Sequence, residues 1–597
     1  MRNKIQLLIA LILITNCYSQ IYVKDNTSIF AKNTVVYSRG NIELNGLASN
    51  FYLRNEAQFV QGTTGVSTNQ GVGKLSVFQE GTSDNYDYNY WCSPIGNASS
   101  ASGNEDFGIT MLHNPTTNVA STPAVIMSSG YNGIAAPLSI ASYWIWKFLS
   151  SSTYSQWFQT AAATNIVAGQ GFTMKGTSGT DATNVGETAV NNPGGAQRYD
   201  FRGKPNDGNI TVNVATNNFT LTGNPYPSAL HVNAFLLDPT NSDCTGIAYY
   251  WEHDKTVNSH VLLAYRGGYG TYSPVGILPT DYGVYVPATF NSYNIDGTLN
   301  TTGATSGLSI ERKYAPIGQG FMIRGKASGA PVSVTLKNSH RTFYKESNTY
   351  SEFEKNGSSQ AEPNTGNNNG VPHIRLNTII NNEFTRQMAL VLVPQATDAV
   401  DRGIDAKSPS DESLINDVYF FLDNDKYIIE GVSFDINKRI PLGIKAGNSS
   451  FKFSILEVVN FDANQDVFIY DAADSSYHNL KIADYEVTLS SGVYNSRFEL
   501  TFKDSALGIA SDVKDNFIIV QNNTNQLLSI SNPNLLELKS VQLFDISGKL
   551  ILNKEKLETN NNYEFATNAL SEAVYIVKIT TVNNEALSQK IIVERTK

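Results

Sequence analysis

Apolar and polar side chains alternate in short runs between residues 21 and 80, among them Thr34-Val35-Val36-Tyr37, Asn41-Ile42-Glu43-Leu44 and Phe51-Tyr52-Leu53, with Gly40 and Gly46 between them. A period of two marks strands with one buried face, and the close spacing predicts short strands over 20–85, stacked in a coil or a small sandwich. Asp87-Tyr88-Asn89-Tyr90-Trp91-Cys92-Ser93-Pro94 reads as an aromatic strand ended by a proline turn. The run Gly169-Gln170-Gly171-Phe172-Thr173-Met174-Lys175-Gly176 then recurs as Gly318-Gln319-Gly320-Phe321-Met322-Ile323-Arg324-Gly325. An aromatic strand precedes each copy, Tyr143-Trp144-Ile145-Trp146 and Tyr249-Tyr250-Trp251, and a β-rich run follows at 209–214 or 331–336. Each copy also begins near a proline turn, Ser93-Pro94 or Gly223-Asn224-Pro225-Tyr226-Pro227. These echoes predict two related β-modules, 86–216 and 217–349, that superpose with Gln170 on Gln319. Residues 350–371 hold few large apolar groups and read as a linker. Runs such as Met388-Ala389-Leu390-Val391 and Phe451-Lys452-Phe453 predict a β-sandwich over 372–508, and alternation near the end predicts a small β-sandwich over 513–597. The fold class expected is all-β and multi-domain.

Composition sharpens this picture. The 597 residues are 41% hydrophobic and only 16% charged, and 31 Tyr and 28 Phe favour short strands over long helices. A net charge of -10, with no basic run, argues against a nucleic-acid partner. Residues 1–19 carry Arg2 and Lys4, an apolar stretch from Leu7 to Ile14, and Cys17 and Ser19 at the -3 and -1 positions of a cut before Gln20. This reads as a signal peptide, too short for the ~20 apolar residues of a bilayer span. A lipoprotein acylated at Cys17 is the alternative, but Asn16 stands where a small residue is wanted. No later segment could form a transmembrane helix. The mature chain keeps two cysteines, Cys92 and Cys244, which either form one disulfide or serve as small buried hydrophobes.

The C-terminal block carries an apolar strand closing on Asp545, a turn at Gly548-Lys549, a strand with Tyr575 and Val577, and a basic-apolar ending at Lys590-Ile591. It resembles the type A sorting domain of type IX secretion cargo in Bacteroidota. The resemblance implies recognition by an outer-membrane translocon and sorting machinery, and cleavage that releases the body or joins it to surface lipopolysaccharide. Residues 373–502 are similar to a sandwich often found before such sorting domains in flavobacterial proteins, through Ala396-Thr397-Asp398, Asp401-Arg402-Gly403, Asp405, Ile440-Pro441-Leu442-Gly443 and Arg497-Phe498-Glu499-Leu500. The proline turns and Gly-Gln-Gly-Phe strands look like segments of large flavobacterial surface proteins. The implied location is the outer cell surface or the medium.

No nucleophile elbow, zinc-binding His-Glu-x-x-His, phosphate loop or dinucleotide fingerprint occurs, so no catalytic residue and no cofactor is assigned. Two carboxylates brought together by the fold would leave no such trace, which keeps a secreted glycoside hydrolase as a rival. The histidines are scattered, and His253 reads as a surface or loop residue beside Asp254. Asp398, Asp401 and Asp405 offer hard oxygen ligands to a structural calcium ion, with solvated loop carboxylates as the bland reading. Asp462, Asn464 and Asp466 begin like a calcium loop, yet Val467 replaces the required glycine. Tyr143, Trp144, Trp146, Tyr249, Tyr250 and Trp251 either form platforms for sugar rings or pack in strand cores. The expected function is therefore an adhesin-like or structural, non-enzymatic exoprotein touching surface glycans or other surface proteins, with an extracellular carbohydrate-binding protein as the main rival.

Overall fold

The computed structural model describes residues 20–278, 281–305, 312–327, 329, 332–346, 351, 353, 370–408, 414–462, 464–504, 517–557, 559–582 and 586–595. The signal peptide, Cys17 and most of the 350–371 linker lie outside the described residues. The chain is all-β, and it divides into two compact units, 1–502 and 503–597.

Of the two arrangements expected for 20–85, the strands take the coil. Strand β1 (Ile21–Lys24) lies parallel to β4 (Ile42–Asn45), β2 (Ser28–Lys32) to β5 (Asn50–Arg54), and β3 (Val35–Ser38) to β6 (Gln58–Gln61). A third turn of chain lays β7 (Lys74–Glu80) parallel to β5. Each coil turns one face inward, where Leu44, Phe51, Phe59 and Leu75 are fully buried. Its corners need left-handed backbone, supplied by Asn26, Asn33, Asn55 and Gly46.

Strand pairing then crosses the module boundaries read from the sequence. Arg198–Pro205 runs antiparallel to β7, so the coil and the next segment share one seven-stranded sheet. Ile210–Val214 pairs with Val332–Leu336, across position 216. Residues 20–85, 86–216, 217–349 and 372–502 thus do not form separate compact units, because the first three complete one another's sheets and all four share cores. One such core joins Tyr249 and Trp251 to Val391, Ile404 and Ile429.

The recurring segments do occupy matching registers. Strand β8 (Tyr88–Cys92) pairs antiparallel with Gly171–Lys175, setting Cys92 opposite Gly171 before the Ser93-Pro94 turn. Phe219–Gly223 pairs with Gly320–Gly325, setting Gly223 opposite Gly320 before Asn224-Pro225. Gly169 and Gly318 have φ of 87° and 81°, and the two strand pairs lock together. The Cys92 N–H donates to the Gly318 carbonyl at 2.8 Å, and the Thr222 hydroxyl to the Gly169 carbonyl at 2.7 Å. A Cβ on Gly320 would lie 2.7 Å from the Trp91 nitrogen and the Tyr90 carbonyl carbon. Backbone cannot yield as a side-chain tip can, so Gly320→Ala is expected to cost about 1–3 kcal/mol, read as a lowered denaturation midpoint.

This lock also corrects the disulfide expectation, for Cys92 and Cys244 are free buried thiols. Cys92 hydrogen-bonds Gly318 and packs beside Gly223, which pairs opposite Gly320, whereas Cys244 pairs opposite Gly325, at the other end of that strand. Five residues of strand span about 16 Å, well past the ~7 Å that a disulfide bridges.

Residues 373–502 fold as one eleven-stranded sheet that curls until its ends meet. At the seam His478 stacks on Tyr485 at 3.7 Å, and the Tyr485 hydroxyl donates to Asp471. The two halves face each other across a core built on Leu376, Leu390, Phe420, Leu442 and Phe498. The sandwich expected here is therefore close to a closed barrel. The second unit packs a three-stranded sheet on a four-stranded one, with Leu528, Ile530, Val541, Val577 and Ile579 between them.

Candidate functional site

In the C-terminal unit, the residues singled out from the sequence fall on three adjacent strands. Asp545 ends Leu538–Asp545 and pairs opposite Tyr575, which in turn pairs opposite Ile591. The Asp545 carboxylate accepts the N–H groups of Ser547 and Lys549, and Gly548 takes φ of 81° to close the turn. Tyr575, Val577 and Ile591 are buried, while Gly548, Lys549 and Lys590 are exposed. One end of the four-stranded sheet thus carries an exposed turn with Lys549 beside the buried Tyr575 and Ile591, with Lys590 on the outer face.

The three carboxylates offered to calcium do not converge. Asp401 accepts the Thr397 N–H at 2.6 Å, Asp398 pairs with Lys438, and Asp405 accepts the N–H groups of Asp401 and Gly431. Their work is to staple the loop that carries Arg402 and Gly403. From that loop Arg402 donates to the carbonyls of Leu236, Asn241 and Cys244, and the Ser273 hydroxyl donates to those of Gly403 and Ile404. Asp462 accepts the Asn464 N–H in an ordinary turn. Among the described residues no three His, Cys, Asp or Glu side chains gather as a metal site.

The aromatic candidates divide. Tyr249, Tyr250 and Trp251 are buried in strand cores, as packing requires, whereas Tyr143 is 44% exposed and Trp146 half-buried. Tyr143 belongs to a larger ring cluster at one end of Gly171–Lys175. Tyr131, 53% exposed, lies 5.0 Å from Tyr143, and Trp144 stacks on His260 at 5.0 Å. Tyr86 lies 4.8 Å from the same imidazole.

Lys175 sits beneath these rings, its Nζ 4.0 Å from the Trp144 ring centre and 4.8 Å from that of Tyr88. Burial pulls its ammonium down to about 7, while Asp87 and Asp84 hold it up. Nζ donates to His260 Nδ1 at 3.3 Å, which makes Nε2 the protonated nitrogen facing Asn132 Oδ1 at 2.6 Å. Burial, then the Lys175 charge, lowers the His260 imidazole to about 4, so this ring is neutral at pH 7. Asn85 Nδ2 donates to the same Asn132 oxygen, completing a chain from Lys175 to the surface.

That chain ends at an open cleft of about 380 Å³ lined by Asp84, Asn85, Asp87, Ser178, Lys255 and Asn258. His253 is no surface residue: it is 2% exposed, with Nε2 3.1 Å from Asp87 Oδ2. Asp87 itself is 2% exposed, and its Oδ1 has no hydrogen-bond partner among the described residues. Buried ionisable groups beside a cleft are costly, and such clusters concentrate at functional sites. None of Asp84, Asp87, Lys175 or His260 was singled out from the sequence. One signal was present, since both Gly-Gln-Gly-Phe copies end an apolar strand on a basic residue, Lys175 or Arg324.

Residues 9–502 match a family described as a domain of unknown function, DUF8693, and residues 509–593 match a second, DUF8694. No curated protein matches the chain.

Proposed function

The chain belongs to the DUF8693 family, and we propose that it is a non-enzymatic, adhesin-like binding protein exported by the type IX secretion machinery to the cell surface or the medium. The observation that carries the export half is the row Asp545–Tyr575–Ile591 with its exposed turn at Gly548-Lys549, built on a unit that has a core of its own. A recognition element must stay folded while its cargo varies, and a separate core meets that need. The binding half rests on the partly exposed rings of Tyr131, Tyr143 and Trp146, which lie together, since contiguous exposed apolar patches mark interaction surfaces.

Deleting the residues after Asp512 is expected to leave a folded body in the periplasm of a type IX-competent host. Fusing 513–597 to an exported fluorescent protein is expected to carry it to the surface or medium, read by fractionation and immunoblot. Normal secretion of the truncated chain, or a periplasmic fusion, would overturn the export reading.

A further inference from the structure

We propose that the cleft beside Lys175 and the ring shelf around Tyr131 form one binding site for a neutral saccharide. The inference deepens the binding reading and is independent of the export route. Three features of the site bear on the choice of ligand.

The first is the shelf. Sugar rings offer apolar C–H faces that lie on aromatic surfaces, and Tyr131 and Tyr143 present such surfaces to solvent. The Trp144 indole below them is fixed, because its Nε1–H donates to the Tyr131 carbonyl at 2.7 Å. Rings held this way lose little freedom when a ligand covers them.

The second is the polar inventory of the cleft. Asp87 lines the cleft, but its unpartnered Oδ1 is closed off from solvent, so a sugar's hydroxyls meet the other polar groups of the lining. Asp84, Asn85, Asn258 and Lys255 supply acceptors and donors around the rim. Vicinal hydroxyls, each able to donate and accept, match such a mixed set better than a ligand of one sign.

The third is charge. The residues lining the cleft carry two carboxylates, Asp84 and Asp87, against one ammonium, Lys255, so acid is in excess there. A carboxylated sugar would be repelled by both acids. Phosphate and nucleic acid are disfavoured for the same reason, which leaves a neutral hexose, pentose or N-acetylhexosamine unit. Hydrogen bonds from Asn85 and His260 meet at Asn132 Oδ1, so shelf and cleft adjoin through the residue next to Tyr131.

The test uses the purified full chain in titration calorimetry, with oligosaccharides of glucose, xylose, mannose and N-acetylglucosamine, and with uronate oligosaccharides as the charged control. At least one neutral series is expected to bind. Tyr131→Ala and Asp84→Asn are each expected to weaken it about tenfold. Both positions reach the surface, and circular dichroism checks that each variant is folded. Three results would overturn the proposal: no binding by any neutral series, binding unchanged in both variants, or tighter binding of the uronates. Release of reducing ends from the probes would overturn the non-enzymatic reading. None of these outcomes touches the export assay, so the two readings fail separately.

Discussion

Replacing Arg341 by methionine is expected to destabilise the 20–502 unit by about 3–5 kcal/mol, the range for removing one partner of a buried ion pair. The Arg341 and Asp207 side chains are both fully buried, with Nη1 3.2 Å from Oδ1. Burial draws the guanidinium down to about 10, which leaves it charged at neutral pH. It also donates to the Ser228 hydroxyl at 2.9 Å, to the Asn338 side chain at 3.0 Å and to the Phe59 carbonyl on β6. One side chain therefore ties the N-terminal coil to segments more than a hundred residues away. Methionine fills much of the volume but strands Asp207 as a charge in a dry interior. Adding Asp207→Asn removes that charge, so the double variant should recover part of the loss. Chemical denaturation of the full chain reads both effects. A single variant within about 1 kcal/mol of the parent would show that the pair carries no such weight.

Glu430→Gln is expected to gain stability over the parent as pH rises from about 5 to about 8.5. Burial, then the negative charges of Asp405 and Asp398, pushes the Glu430 carboxyl up to about 8, against the opposing pull of Lys438. Burial pushes Asp405 up to about 7, although the N–H groups of Asp401 and Gly431 favour its charged form and the Asp401 charge opposes it. Both groups are raised above their unfolded values, so the fold binds more protons than the unfolded chain between those values. Their stabilisation is complete below the unfolded range near 4 and is lost as pH climbs through 7 and 8. The loss for the pair is on the order of a few kcal/mol. Glutamine keeps the shape and never ionises, so the variant should match the parent at pH 5 and exceed it at pH 8.5. Thermal melts across that range decide the matter. A melting-temperature difference between variant and parent that stays constant from 5 to 8.5 would refute the assignment of a neutral Glu430 carboxyl.

The period-two runs of the first eighty residues were enough to expect strands, because alternation is a property of the extended backbone itself. They could not choose between coil and sandwich. That choice lay in which strand met which, and parallel stacking of β1 on β4 needs a full turn of chain between partners. The recurrence of Gly-Gln-Gly-Phe was legible, and so was a strand start beside a proline turn. The sharing of sheets across position 216 was not, since Ile210–Val214 finds its partner at 332–336.

Candidate sites were less readable for the same reason. Asp398, Asp401 and Asp405 lie close in sequence and suggest one site, yet each turns to a different partner once the loop is folded. Lys175, Asp87 and His260 are far apart in sequence and meet in space, so no window of sequence holds their chemistry. Asp545, Gly548 and Tyr575 were legible because a turn and two neighbouring strands are a local event.

What the amino-acid sequence determined by itself is the all-β class, the low charge, the repeat and the turn chemistry, all set by side-chain shape and φ preference within a few residues. What only the tertiary structure decided is which polar groups are dry: Arg341 on Asp207, Glu430 beside Asp405, and the Asp87 oxygen closed off beside its cleft. The cost of burying a charge depends on the partner brought up from elsewhere in the chain, and long-range pairing alone supplies that partner.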